Sequence, residues 1–99
     1  MKNIYIKAIA DRIGVREWQV ENCAALFEEG ATIPFISRYR KERTGGLDEV
    51  AVAEIRHFTD VFAEMEKRKQ TILDTIETAG ALTSELADRI EASVDSREL

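Results

Sequence analysis

An all-α fold is what this sequence predicts, and three observations predict it. Apolar residues recur at three- and four-residue spacing along most of the chain, the period of a helix with one buried face. Glycines fall between those runs, and the single proline, Pro34, sits where a helix can begin. Ala, Glu, Lys and Arg are abundant, and these residues lose little freedom in a helix. The pattern gives about five helices with helix-turn-helix-like packing: short helices, then one long helix over about 49–78, then a short C-terminal helix.

The first helix covers 3–13, with Ile6, Ile9, Ala10 and Ile13 on one face and Gly14 as a left-handed cap. The second runs from about 16 to 29. Trp18, Val20, Cys23, Leu26 and Phe27 form its apolar face, with Val20 at the margin, and Gly30 ends it. Pro34 has no amide hydrogen, so it suits the first turn of a third helix running to about Arg43, with Ile33 before it pushed toward extended geometry. Phe35, Ile36 and Tyr39 anchor that helix. A strand over TIPFI is the competing reading, but the run is short and the proline would confine it to an edge.

Gly45 and Gly46 break the third helix, and Asp48 caps the fourth. At 1.5 Å per residue the fourth is roughly 45 Å long. Its apolar row, Ile55, Phe58, Phe62, Met65, Ile72 and Ile76, skips one heptad site, which Lys69 fills. That is a coiled-coil-like seam with a cationic break, and a route to packing or self-association. Val61 and Leu73 widen it, and Gly80 ends the helix. Thr83 or Ser84 caps the fifth helix, with Leu82, Leu86, Ile90 and Val94 in one row.

Ninety-nine residues, 44% apolar and 33% charged, suit one modest domain with a stability of ~5–10 kcal/mol. The formal charge is −5 and uneven. Residues 1–47 hold eight Lys/Arg against six Asp/Glu, net +2; residues 48–99 hold six against thirteen, net −7. A uniformly basic nucleic-acid domain is excluded, so any phosphate contact must be a local patch. Cys23 is alone, so no internal disulfide can form. Apolar runs are too short for a membrane span, and the N-terminus MKNIYIKAIAD lacks a signal-peptide core, so a cytoplasmic location is expected.

The stretch GATIPFISRYRKERTGG puts Arg38, Arg40, Lys41 and Arg43 within six positions, the candidate nucleic-acid contact. A helix-turn-helix of the second and third helices would present Phe35, Ile36 and Ser37 to base edges, and the cations to phosphates. On one continuous helix, at about 100° per residue, Arg38 and Lys41 share a side while Arg40 and Arg43 face elsewhere. The competing reading is a solvated or partner-facing helix surface. Chemistry finds little support. Cys23 and His57 lie on different helices and read as core filler and surface residue, not as a catalytic pair. Glu54 and His57 make one Glu-x-x-His, where a bundle metal site needs two. Gly45-Gly46 terminates a helix and is no phosphate loop. No enzyme, metal or cofactor is therefore expected.

Residues Gly30 to Glu42, followed by Thr44-Gly45-Gly46-Leu47-Asp48-Glu49, resemble the signature of the N-terminal region of the Tex family of bacterial transcription accessory proteins. The family pattern has Ala where this chain has Ser37. Thr71-Ile72-Leu73, Gly80 and Leu82-Thr83 fall where the family has a helix, a turn and the next cap. The resemblance implies a much longer parent protein with an RNase-H-like domain, helix-hairpin-helix elements and an OB-fold RNA-binding domain. Residues 1–99 would then be its single helical N-terminal domain, ending before a basic segment usual in the family. Its implied partners are the remaining domains of the same chain, RNA or DNA, and the transcription machinery. The expected role is scaffold or interaction platform; the alternative is direct, non-specific nucleic-acid binding through 38–43.

Overall fold

The computed structural model describes residues 1–95, which hold six helices and no strand. They are α1 (Asn3–Ile13), α2 (Glu17–Glu28), α3 (Ile33–Tyr39), α4 (Lys41–Thr44), α5 (Glu49–Thr78) and α6 (Ser84–Ala92). Two compact units form, one over residues 1–60 and one from 61 onward.

In the first unit, α1 packs on α2, α2 on α4, and α3 on α4. The helix-turn-helix arrangement thus falls on α1 and α2, joined at Gly14, and α2 packs on α4 as well. The core is built from Tyr5, Ile6, Ile9, Val20, Cys23, Leu26, Ile36, Leu47, Val52 and Ile55. Val20, placed at the margin by periodicity, is fully buried, whereas Trp18 is 49% exposed. Trp18 does not enter the core because it lies against Gly45 at the start of α2. Arg12 sits over the Phe58 ring at 5.2 Å and Arg56 over Phe27 at 5.0 Å, joining the start of α5 to α1 and α2.

The expected third helix is two helices, which raises the count from five to six. Arg40, at φ −130° and ψ 31°, belongs to neither. Its N–H still closes α3 on Ile36 O at 3.1 Å, and its carbonyl accepts from the amides of Arg43 and Thr44. Ile33 is already helical, because Thr32 is the N-cap and its Oγ1 accepts from Phe35 N at 3.3 Å. α4 is a single turn, too short to persist alone. Two side chains of α2 hold it. Gln19 Nε2 donates to Thr44 O at 2.8 Å, and Asn22 Nδ2 donates to Arg43 O at 2.7 Å. The same Gln19 amide accepts from Arg16 N through Oε1 at 2.9 Å, which fixes its orientation. Gly45 follows at φ 72°, and a Cβ there would lie 2.6 Å from the Trp18 ring and 2.7 Å from Gln19 Nε2. Asp48 caps α5 as expected, with Oδ1 accepting from Ala51 N at 2.8 Å.

In the second unit, Phe62, Met65, Leu73 and Ile90 are buried, and Ile72 and Ile76 are half-buried. The expected seam is therefore largely covered, with Val61 its exposed member. Thr83 caps α6, its Oγ1 accepting from Leu86 N at 3.2 Å. Val94 is not in the helical row, because α6 ends at Ala92 and Ser93 is extended. Lys69 is no solvated break in the seam: it is fully buried. Its Nζ donates to Glu91 O at 2.9 Å and to Ser93 O, and lies 3.9 Å from Glu66 Oε1. A cation thus closes the carbonyl end of α6, where orphan acceptors and the helix dipole favour positive charge.

Two outcomes follow for urea unfolding. Gly45→Ala adds ~1–2 kcal/mol of left-handed strain to ~1–3 kcal/mol of overpacking, and displaces Gln19 from Thr44. Gly46→Ala, at φ 85° with open space around it, should cost the strain alone. Lys69→Met strips the donor from two carbonyls and should destabilise by ~1–3 kcal/mol, with amide exchange rising first in α6. Lys67→Met, which breaks only an exposed pair with Glu64, should stay within about 0.5 kcal/mol of the parent.

Candidate functional site

The four candidate cations divide into two pairs. Arg40 and Arg43 already have partners. The Arg40 guanidinium lies over the Phe35 ring at 4.8 Å, and its Nη1 donates to Tyr39 O at 2.9 Å. Arg43 Nη1 is 3.8 Å from Glu29 Oε2, at the end of α2. Arg38 and Lys41 are exposed and have no ion-pair partner among the described residues. The elbow at Arg40 lies between them, so the angles of one continuous helix do not apply across the run.

The anchors divide as well. Ile36 is buried, but Phe35 is 38% and Tyr39 63% exposed. One turn apart on α3, the two rings stack on each other at 5.6 Å, tilted by 50°. A seven-residue helix has room for one buried stripe, and Ile36 with Ser37 fills it. Phe35 and Arg40 also line an open cleft of about 420 Å³ with Leu26, Glu29, Gly30 and Thr32. Sequence periodicity assigned both rings to the core and so missed this aromatic surface. The signal available was the place of Tyr39 between Arg38 and Arg40, which suits an exposed position better than a buried one.

Glu54 and His57 are both exposed on α5, and His57 meets the Phe58 ring edge-on at 5.1 Å. No cluster of three or more His, Cys, Asp or Glu side chains suited to a metal occurs among the described residues. No described helix is long and apolar enough to cross a membrane.

Residues 3–77 match the family model described as the Tex-like protein N-terminal domain. The chain is 40% identical over 99 residues to Protein YhgF of Escherichia coli (strain K12), covering 100% of this chain and 13% of that protein. It is 36% identical over 87 residues to the transcriptional accessory protein Tex of Neisseria gonorrhoeae, covering 88% of this chain and 12% of that one. With human S1 RNA-binding domain-containing protein 1 it shares 27% identity over 78 residues, 79% of this chain and 8% of that protein. The chain thus spans 13% or less of the length of each of these relatives.

Cys23 is buried on α2, and burial pushes its thiol from an ordinary 9.0 up to about 11. The thiolate is the nucleophile, so this cysteine is inert in the folded chain. The unfolded chain releases the proton first as pH rises. The stability held by the buried thiol is therefore complete below pH 9.0 and lost as pH climbs to about 11, by up to ~1.4 kcal/mol per pH unit. Urea unfolding across that range should show the decline, and Cys23→Ala should be shallower by that slope. A thiol reagent at neutral pH should react only once the chain unfolds.

Proposed function

The chain belongs to the family of Tex-like protein N-terminal domains, and we propose that residues 1–99 serve there as a helical scaffold that packs against the remaining domains of a Tex-like transcription accessory protein. The observation that carries this reading is the internal use of the basic run. Arg43 pairs with Glu29, Arg40 lies on Phe35, and the carbonyls of Arg43 and Thr44 are held by Asn22 and Gln19. A segment built into its own fold in this way is architecture first. The role is non-enzymatic and cytoplasmic on this reading, with transcription machinery as a second partner. It accords with the Neisseria relative, which is named as a transcriptional accessory protein.

Direct, non-specific nucleic-acid binding through 38–43 is the weaker alternative, because the run must act against a chain of net charge −5 and its four cations are split by the elbow at Arg40. Self-association through the seam is weaker too, since Ile55, Phe62 and Met65 are buried.

The test is calorimetric titration of this chain into a Tex-like protein lacking its own matching N-terminal segment. The expected result is saturable association, with a negative heat-capacity change from buried apolar area. No association, with the chain shown helical by circular dichroism, would overturn the scaffold role.

A further inference from the structure

We infer that the open cleft between the end of α2 and α3, with the exposed side of α3 beside it, is a docking groove for an acidic polypeptide segment. One apolar side chain of the segment fills the cleft against Phe35, the segment crosses Tyr39, and its carboxylates meet Arg38 and Lys41. The inference does not depend on the packing role proposed above, because it fixes the chemistry of the segment and not the protein that carries it. It rests on three observations.

The first is the cleft itself. Its volume is about 420 Å³, and Leu26, Ala31 and Phe35 give it an apolar lining. The second is the pair of rings. Phe35 lines the cleft and stacks on Tyr39, which is the more exposed of the two, so aromatic surface continues from the cleft along α3. Contiguous exposed apolar surface marks an interaction site, and Tyr and Arg are among the side chains that carry most binding energy at protein interfaces. The third is charge. Arg38 stands one turn on from Phe35, Lys41 follows across the elbow, and neither has an ion-pair partner among the described residues. The run 38–43 holds four cations against Glu42, in a chain of net charge −5. That local surplus is complementary to a segment of negative charge.

A polypeptide suits this cleft better than a nucleic acid for two physical reasons. The cleft lies at the carboxyl end of α2, where Glu29 lines it beside the negative pole of the helix. A phosphate entering there is repelled, whereas a peptide backbone brings N–H donors to that carboxylate. The lining is also apolar. A base pushed against it would desolvate polar edges that an aliphatic or phenyl side chain does not have. The acidic flanks of the segment then fall outside the cleft, on the side of α3 and α4 where Arg38 and Lys41 are exposed.

The test is fluorescence anisotropy, at equilibrium and by stopped flow, with short labelled peptides rich in Asp and Glu. Each carries one central Leu, Phe or Trp and is titrated with the chain at several salt concentrations. At least one of these anchored peptides should bind saturably, and the same peptide with Ala at its centre should not. Tyr39→Ala should weaken binding ~5-fold or more, the loss expected of an interface anchor. Replacing Arg38 and Lys41 together by Gln should slow association and flatten its dependence on salt, with dissociation close to that of the parent. Tyr39, Arg38 and Lys41 are exposed, so these variants keep the fold, which circular dichroism checks. Failure of every anchored peptide to bind, equal binding of the Ala-centred peptide, or parental affinity of Tyr39→Ala would overturn the proposal. So would binding of an oligouridylate where no peptide binds, which assigns the face to nucleic acid.

Discussion

Two neutral amide side chains hold the first unit in its form. Gln19 and Asn22, three apart on one side of α2, donate to the successive carbonyls of Thr44 and Arg43. A one-turn helix cannot satisfy its own last carbonyls, and leaving two of them unpaired beside a core would cost several times what either bond contributes net. With those bonds made, α4 becomes a fixed element and Arg40 becomes a fixed elbow. The glycine requirement at 45 has the same origin, since the Gln19 and Trp18 side chains occupy the space a Cβ would need. Thr44 adds the last link, its Oγ1 accepting from Leu47 N at 3.3 Å as the chain turns toward the Asp48 cap.

The second unit solves the same problem with a charge. Lys69 closes the carbonyl end of α6 from a fully buried position, with Glu66 nearby as counter-ion. A buried ammonium is costly unless its hydrogens find acceptors, and the orphan carbonyls at a helix C-terminus supply them where the helix dipole favours positive charge. The cation therefore specifies where α6 must end as much as it stabilises the unit. Any apolar residue at 69 would continue the heptad row but leave those carbonyls without their donor.

Much of this was legible in the sequence, and for local reasons. The end of α1 at Gly14, the caps at Asp48 and Thr83, the length of α5 and the break at Gly45-Gly46 each depend on a residue acting on its own backbone. The family signature was legible for the same reason, being carried by the turn chemistry of Gly30 to Glu49. What escaped was set by distant partners. Nothing in the sequence around Arg40 breaks a helix; the turn that follows the break is held by amides on α2, 21 and 25 residues from the carbonyls they meet. Trp18 left the core, and Lys69 entered it, because of what faces them from another element. The candidate site inherits this. Its residues were found by composition, but which cations are engaged and which rings are open followed from the elbow.

The strength of those engagements matters more than their number. The Arg43–Glu29 pair is exposed on both sides, and such pairs contribute ~0–1 kcal/mol. An exposed guanidinium on a ring contributes about 0.5–1 kcal/mol. Neither contact would hold its arginine against a stronger acceptor. They set where the two side chains rest, and the fold itself is held by the backbone bonds beneath them. Arg40 is thus poised at the rim of the cleft rather than locked there, with Tyr39 open next to it. A surface of this kind has a rigid base and weakly tethered charged tips: the backbone bonds of Gln19 and Asn22 fix the elbow, and the side chains above it stay free to repack.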